Sequence, residues 1–150
     1  MIIDSHCHLT YEPMSNALKE TINRAKKDGI KYMLTISTED KSFEQILKIV
    51  NGYESVYGTY GIHPHEAKSH QHIKSDDIIN KVNQNKKIIG IGETGLDFYY
   101  NHSEKKDQIY SFEEHISAAQ EKNLPLIVHT RSAENETLEI LKKYSKIKDT

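Results

Sequence analysis

The chain has 150 residues, of which 36% are hydrophobic, and its 20 basic and 22 acidic side chains give a formal net charge of −2. The length and composition predict a single domain over residues 1–150. The near-neutral net charge excludes a strong overall field that attracts nucleic acid, so any such contact is expected to be local. The single cysteine, Cys7, excludes an intrachain disulfide, and the absence of a signal-peptide pattern or a ~20-residue apolar run predicts a cytoplasmic protein without membrane contact.

Short apolar runs and longer amphipathic stretches alternate along the chain. Strands are predicted from residue 1 and at 32–37, 55–62, 87–92 and 126–130, and helices at 14–28, 40–51, 74–85, 104–122 and 134–145. Five strand–helix units in succession predict parallel strands joined by helical crossovers, and therefore an α/β fold. Periodicity alone leaves two architectures open, a doubly wound open sheet and a (β/α) TIM-type barrel.

Chemically reactive side chains end the apolar run in four of these five units: Asp4, His6 and His8; His63 and His65; Glu93 and Asp97; His129 and Arg131. Active sites of (β/α) barrels lie at the C-terminal ends of several strands. A doubly wound sheet instead binds its ligand at one switch point. The distribution favours an incomplete TIM-type barrel with about five of the eight β/α units.

The segment from Asp4 to His8 is the most informative for metal binding. Side chains alternate along a strand, which predicts that Asp4, His6 and His8 share one face and that both imidazoles can reach one metal ion. Asp4 is expected to accept a hydrogen bond from a histidine N–H, and a ligand role or a turn role remains an alternative. Cys7 then points toward the helices and is expected to be a small buried side chain.

Glu93 and His129 end two later strands and are the remaining candidates for metal ligands. A carboxylate such as Glu93 can bridge two cations, and the glycines around it allow a close approach. His129 follows an apolar run, a position that indicates a ligand role. Asp97 has two interpretations, a catalytic group or a hydrogen-bonded loop residue.

Arg131, His63 and His65 are candidates for contact with substrate. The guanidinium of Arg131 could hold a phosphate through two parallel hydrogen bonds, with a salt bridge as the alternative. His63 and His65 flank Pro64, which stiffens the turn, and they suit phosphate contacts or support of the metal ligands. The other histidines lack a strand-end position and are expected on the surface or on helices: His70, His72, His102 and His115.

Four segments resemble the TatD family of metal-dependent hydrolases, within the amidohydrolase-like barrel superfamily: DSHCHL at 4–9, GTYGIHPH at 58–65, GIGETGLDFYY at 90–100 and LPLIVHTR at 124–131. The resemblance implies a (β/α) barrel with one or two divalent ions, for which magnesium, manganese and zinc are all compatible. It implies that His6 and His8 bind one ion, that Glu93 bridges or ligates, and that His129 binds the second. The implied activity is hydrolysis of DNA phosphodiester bonds by water that the metal activates.

A complete barrel of this type needs ~250 residues, so this sequence is expected to correspond to the N-terminal part of the family fold. The family's later metal-binding histidine and catalytic aspartate have no counterpart, and no catalytic residue is assigned. A second chain that completes the barrel is therefore a candidate partner, beside DNA or another phosphodiester substrate. Two other hypotheses stay open: a hydrolase of amide, ester or lactone bonds, and an inactive remnant that retains metal ligands.

Overall fold

The computed structural model of the protein describes residues 1–100 and 102–145. Five strands alternate with five α-helices. Their bounds are β1 (Ile2–Cys7), α1 (Leu18–Lys27), β2 (Ile30–Thr35), α2 (Phe43–Gly52), β3 (Val56–Tyr60), α3 (Ser75–Val82), β4 (Ile88–Asp97), α4 (Lys105–Lys122), β5 (Leu126–Arg131) and α5 (Glu134–Ser145). Short 3-10 segments at Ser15–Ala17, Asp40–Ser42 and Pro64–His70 precede α1, α2 and α3.

The strands form one parallel sheet in the order β1-β2-β3-β4-β5. A strand order that follows the chain has no switch point, whereas a doubly wound sheet reverses at one. The sheet curls into a half-barrel, with β1 and β5 as the edges of the described sheet. The prediction of an α/β fold with part of a TIM-type barrel is therefore confirmed.

The helices bury apolar stripes against the sheet. In α2, Phe43, Ile46, Ile49 and Val50 recur at helical spacing and are at most 3% exposed, and they share one core cluster with Tyr60 of β3. Burying each such aliphatic or aromatic side chain contributes about 1.5–3 kcal/mol. Within the part of the chain that the structure describes, none of the helices combines the length and apolar composition needed to cross a membrane.

Strand β4 extends further than its apolar run predicts. The run ends at Gly92, but the strand continues to Asp97, and Glu93 and Asp97 are buried within it. Burial of these two acids is tolerated because each lies at hydrogen-bonding distance from an imidazole. The extension therefore places two buried carboxylates in the C-terminal half of β4.

Four neighbouring strands expose apolar side chains on a face that they share. Ile3 and Ile89 are 53% and 38% exposed. With Leu34 and Tyr57, among others, they line an open pocket of about 290 Å³. In a closed barrel, such apolar side chains from several strands pack together and fill the interior.

Two glycines allow β4 to approach β5 closely. Gly92 and Gly95 have φ of +130° and +133°, a region that L-residues rarely adopt. An added Cβ would overlap the carbonyl oxygen of Ile127 at Gly92 and that of His129 at Gly95. Both carbonyls belong to the backbone of β5, so no side-chain rotation can relieve the overlap.

Gly95→Ala is expected to lower the free energy of unfolding by about 3 kcal/mol or more, because it adds backbone strain to overlap with β5. Gly52→Ala is the matched control, since no atom lies within 4 Å of the added Cβ. The expected change for the control is below about 1 kcal/mol. Urea unfolding at neutral pH measures both variants, and equal effects would contradict the close packing of β4 on β5.

His115 lies within α4, as expected of a helix histidine, but it is 1% exposed rather than on the surface. Its Nδ1 lies 2.6 Å from the Ser111 carbonyl oxygen, and its Nε2 accepts from the Ile62 N–H at 3.1 Å. These partners assign the neutral tautomer with the proton on Nδ1, since a proton on Nε2 would face another N–H. Burial lowers the pKa of His115 to about 4, against the smaller opposing effect of the bond to Ser111.

The neutral burial of His115 predicts a loss of stability in acid. The unfolded chain takes up this proton near pH 6.5 and the folded chain only near pH 4, so the free energy of unfolding falls as the pH falls through that window. From neutral pH to about pH 5, His115 is expected to contribute about 2 kcal/mol of the fall. His115→Gln keeps an acceptor for Ile62 and should reduce the fall by that amount in urea unfolding. An unchanged fall would contradict the prediction.

Candidate metal centre

The candidate metal centre lies at the C-terminal ends of four strands. His6 lies in β1 and His8 directly follows it, His63 follows β3, Glu93 lies in β4 and His129 lies in β5. Parallel strands direct their C-terminal ends toward the same edge of the sheet. Side chains that are far apart in the sequence therefore meet at that edge.

His6, His8 and Glu93 form the first cluster. Each offers one ligand atom, and these atoms lie within 4.8 Å of one another. Nε2 of His6 is 3.5 Å from Oε2 of Glu93, and the two imidazole centroids are 5.2 Å apart in an edge-to-face arrangement. Small side-chain adjustments would bring all three atoms to the ~2.0–2.2 Å of metal–ligand bonds.

His63, Glu93 and His129 form the second cluster, again with ligand atoms within 4.8 Å of one another. Nδ1 of His129 is 3.3 Å from Nε2 of His63 and 3.3 Å from Oε1 of Glu93. The sequence predicts that His63 contacts substrate or supports the metal ligands. It does not predict that the His63 imidazole lies close enough to Glu93 and His129 to share an ion with them. The available signal was the place of His63 after an apolar strand, which it shares with His129.

Glu93 belongs to both clusters. Its Oε2 faces His6 and its Oε1 faces His129. Burial by itself would raise the pKa of Glu93, but the hydrogen bond with His129 and the neighbouring imidazoles outweigh burial and lower it. An ionised carboxylate in this position has one oxygen available to each cluster.

The protonation states of the centre suit a cation. Burial is the main reason that the pKa values of His8 and His63 lie below the usual histidine value, and a neighbouring imidazole adds to the effect in each case. Neutral imidazoles and an ionised carboxylate are the forms that bind metal. The pKa of His129 is raised by its hydrogen bond to Glu93, although burial opposes this. The negative charge of Glu93, which favours a proton on His129, would also favour a metal ion beside it.

Asp97 is 1% exposed and divides its carboxylate between two groups. Its Oδ2 lies 2.8 Å from Nε2 of His65 and 3.1 Å from Nε2 of His129. Its Oδ1 accepts from the backbone N–H groups of Tyr99 and Tyr100. Burial opposes ionisation, but these hydrogen bonds lower the pKa of Asp97 to about 2. Asp97 therefore orients two imidazoles and also holds the turn that follows β4.

An irregularity in β1 alters the surroundings of Asp4. The pairing with β2 shifts register between Asp4 and Cys7, which interrupts the strict alternation that the sequence analysis assumed. Oδ1 of Asp4 accepts from the backbone N–H of His6 at 3.1 Å. The expected bond from an imidazole to Asp4 stays a prediction. Cys7 is half-buried, and burial followed by the Asp4 charge raises the pKa of its thiol to about 12, which fits a structural side chain.

Arg131 turns toward two tyrosines. Its guanidinium carbon lies 4.4 Å from the ring centroid of Tyr99 and 4.7 Å from that of Tyr100. Among residues 1–100 and 102–145 it has no ion-pair partner, so the salt-bridge alternative has no counterpart there. Within that part of the chain, the positive charge of Arg131 faces aromatic rings rather than a carboxylate.

An open pocket of about 470 Å³ borders the centre. Its lining residues are His8, Tyr11, Thr38, Glu39, Lys41, His63, His65, Glu66 and Glu93. The ring of Tyr11 stacks on His8 at 5.0 Å, and its hydroxyl lies 2.6 Å from that of Thr38. Tyr11 lies in the loop after β1 and carries no strand-end signal, so its place beside His8 was not predicted from the sequence.

Comparison with known proteins identifies the family to which the sequence is similar. The sequence model of the family described as TatD related DNase matches residues 3–149. A protein named uncharacterized metal-dependent hydrolase, from Buchnera aphidicola subsp. Baizongia pistaciae, is 38% identical over 145 residues, which cover 94% of this chain and 54% of the relative. A Salmonella typhimurium protein named 3'-5' ssDNA/RNA exonuclease TatD is 31% identical over 140 residues, which cover 93% of this chain and 54% of the relative.

The fold has a similar solved structure. The crystal structure of YjjV, a TatD homologue from Escherichia coli K12, matches with a TM-score of 0.88 at 25% identity, over 95% of this chain and 56% of that chain. This chain thus spans about half the length of the curated relatives that it matches. Since the family match extends over nearly all of the sequence and the fold agrees with it, the chain belongs to the TatD-related DNase family.

Proposed function

We propose that the protein is a metal-dependent hydrolase that cleaves phosphodiester bonds, with DNA as its substrate class. The proposal rests on the carboxylate of Glu93, which belongs to two groups of ligand atoms beside an open pocket. In each group the Glu93 oxygen lies within 4.8 Å of two imidazole nitrogens. Relatives named metal-dependent hydrolases support the general activity. A relative named ssDNA/RNA exonuclease supports the type of bond.

The donor set fits one or two divalent ions. Four imidazoles around one carboxylate favour zinc over magnesium, which prefers oxygen ligands, and the carboxylate also admits manganese. When bound, such ions would supply the positive charge that activates water and offsets the charge on the phosphoryl oxygens. His6 and His8 would hold one ion, His63 and His129 the other, and Glu93 would contact both.

His65 in the pocket wall would transfer a proton, and Arg131, two residues after His129 in β5, would hold phosphate. His65 lines the pocket, and its Nε2 is 2.8 Å from a carboxylate oxygen of Asp97. That contact fixes the orientation of the ring beside the pocket, from which His65 would donate a proton to the leaving oxygen. Arg131 would bind a phosphate of the substrate through parallel hydrogen bonds.

The uncovered face of the sheet motivates a proposal about the rest of the barrel. Ile3 and Ile89 are exposed on that face, and β1 and β5 are edge strands in the described sheet. Exposed parallel edges with apolar neighbours favour pairing with further strands. We propose that additional β/α units, in this polypeptide or in a second chain, cover the face.

The protein is expected to cleave a fluorescent DNA oligonucleotide when manganese or zinc is added. Cleavage should cease when EDTA removes the metal. Glu93→Gln should lower kcat/KM at least about 100-fold, since several kcal/mol of charge stabilisation depend on the ions. His72→Ala, an exposed histidine outside the centre, is the control and should stay close to the unsubstituted protein.

Carboxylic ester, amide and lactone substrates are assayed in parallel with the oligonucleotide. Turnover confined to one of those classes would replace the phosphodiester with that bond. Cleavage of DNA that persists in EDTA would contradict metal dependence. A protein that binds metal and cleaves none of the substrates would favour the inactive-remnant hypothesis.

Metal titration tests the shared carboxylate independently of activity. The unsubstituted protein is expected to bind two manganese ions in calorimetry. His6→Ala should weaken the first site and His129→Ala the second, whereas Glu93→Ala should weaken both, each by at least about 10-fold. A Glu93→Ala protein with one site at full affinity would show that the two clusters do not share this ligand.

A further inference from the structure

The turn after β4 presents two exposed tyrosines beside the candidate centre. Tyr99 is 60% exposed and Tyr100 is 40% exposed. The Tyr100 ring lies 5.5 Å from the His65 ring, which lies 4.4 Å from the His63 ring, and Tyr99 contacts Tyr100 at 4.8 Å. A continuous series of ring contacts therefore leads from the metal ligands to the open surface of Tyr99.

Hydrogen bonds hold this turn in a fixed position relative to the centre. Oδ1 of Asp97 accepts from the N–H groups of Tyr99 and Tyr100, while Oδ2 of the same carboxylate contacts imidazoles of the centre. The Gln108 amide accepts from the Asp97 N–H and donates to the carbonyls of Asp97 and Ser103. Both ends of the turn are thus tied to one buried side chain, so a ligand would lose little affinity to ordering it.

Arg131 adds a positive charge to this aromatic surface. Its guanidinium lies over both tyrosine rings. The Tyr100 ring also lies nearly parallel to the His102 ring at 5.7 Å. Tyr100 thus has more ring neighbours than Tyr99, which keeps the larger accessible surface. A planar aromatic ring beside an arginine is suited to a ligand that joins a flat ring to an anion.

We propose that Tyr99 is a stacking surface for an unpaired nucleobase next to the cleaved phosphodiester, and that Arg131 binds the adjoining phosphate. The inference rests on the proposed phosphodiester hydrolysis and specifies the part of the substrate that this side of the site recognises. Aromatic stacking accepts any base, since every base has a π face. An unpaired base is needed because bases inside a duplex are stacked on one another.

Oligothymidylate with one base-free tetrahydrofuran residue, placed at successive positions, tests Tyr99 directly. The unsubstituted protein should lose about 5- to 100-fold in kcat/KM when the base-free residue occupies the Tyr99 position. Tyr99→Ala should lose a similar factor on intact oligothymidylate and should no longer respond to the location of the base-free residue. Tyr110→Ala removes an exposed tyrosine from α4 and, as the matched control, should keep the position dependence.

The inference and the proposed function fail in different ways. If the unsubstituted protein cleaves no phosphodiester, hydrolysis is overturned, and fluorescence anisotropy with the same oligonucleotides in EDTA still tests stacking. Tyr99→Ala should then raise the Kd for intact oligothymidylate about 5- to 100-fold. Position-dependent cleavage that persists in Tyr99→Ala, or the absence of base-dependent binding in a protein that does not cleave, would overturn the stacking surface. Urea unfolding verifies that the variant is folded.

Discussion

The buried negative charge of Glu93 is the feature on which the rest of the structure depends. The residue is 9% exposed, and an ionised carboxylate at that depth would cost several kcal/mol without compensating groups. His6 compensates one oxygen and His129 the other, from β1 and β5. Strand β4 can present the carboxylate at this point because Gly92 and Gly95 let its backbone approach β5. The close contact of the two strands and the imidazole clusters together make the burial of this acid tolerable.

The second acid of β4 explains why His129 is suited to bind a cation. Glu93 lies near Nδ1 of this ring and Asp97 lies near Nε2. A neutral imidazole has a single N–H, so it can satisfy only one of two such acceptors. A cation at Nδ1 would leave the proton on Nε2 for Asp97, and both carboxylates would then have a positive or donor partner. The two acids therefore have different positions, Glu93 at the candidate centre and Asp97 behind the candidate ligand His129.

Local patterns in the sequence were sufficient for the element order and for bringing His6, His8, Glu93 and His129 to one edge of the sheet, although β4 continues past Glu93 to Asp97. They were sufficient because apolar periodicity is a property of short segments, and a succession of strand–helix units implies parallel strands. The contacts of Asp4 depend on a register shift against β2, which no single segment reports. The ligand distance of His63 depends on the turn after β3 and on a neighbouring strand. The burial of His115 depends on which face of α4 meets the sheet. A histidine at one position of that face gives no sign in the sequence that it is buried.

Helix α4 connects the helical layer to the centre through two buried polar residues. Gln108 and His115 are each 1% exposed, and their spacing of two helical turns places them on one face. Each bonds to backbone where a strand ends: Gln108 to Asp97, and His115 to the N–H of Ile62. Backbone groups there have left the regular ladder, and a buried N–H without a partner costs about 1–3 kcal/mol. A purely apolar helix would cover the sheet but leave that N–H without this partner. The position of His63, one residue further, therefore depends on the helix as well as on its own strand.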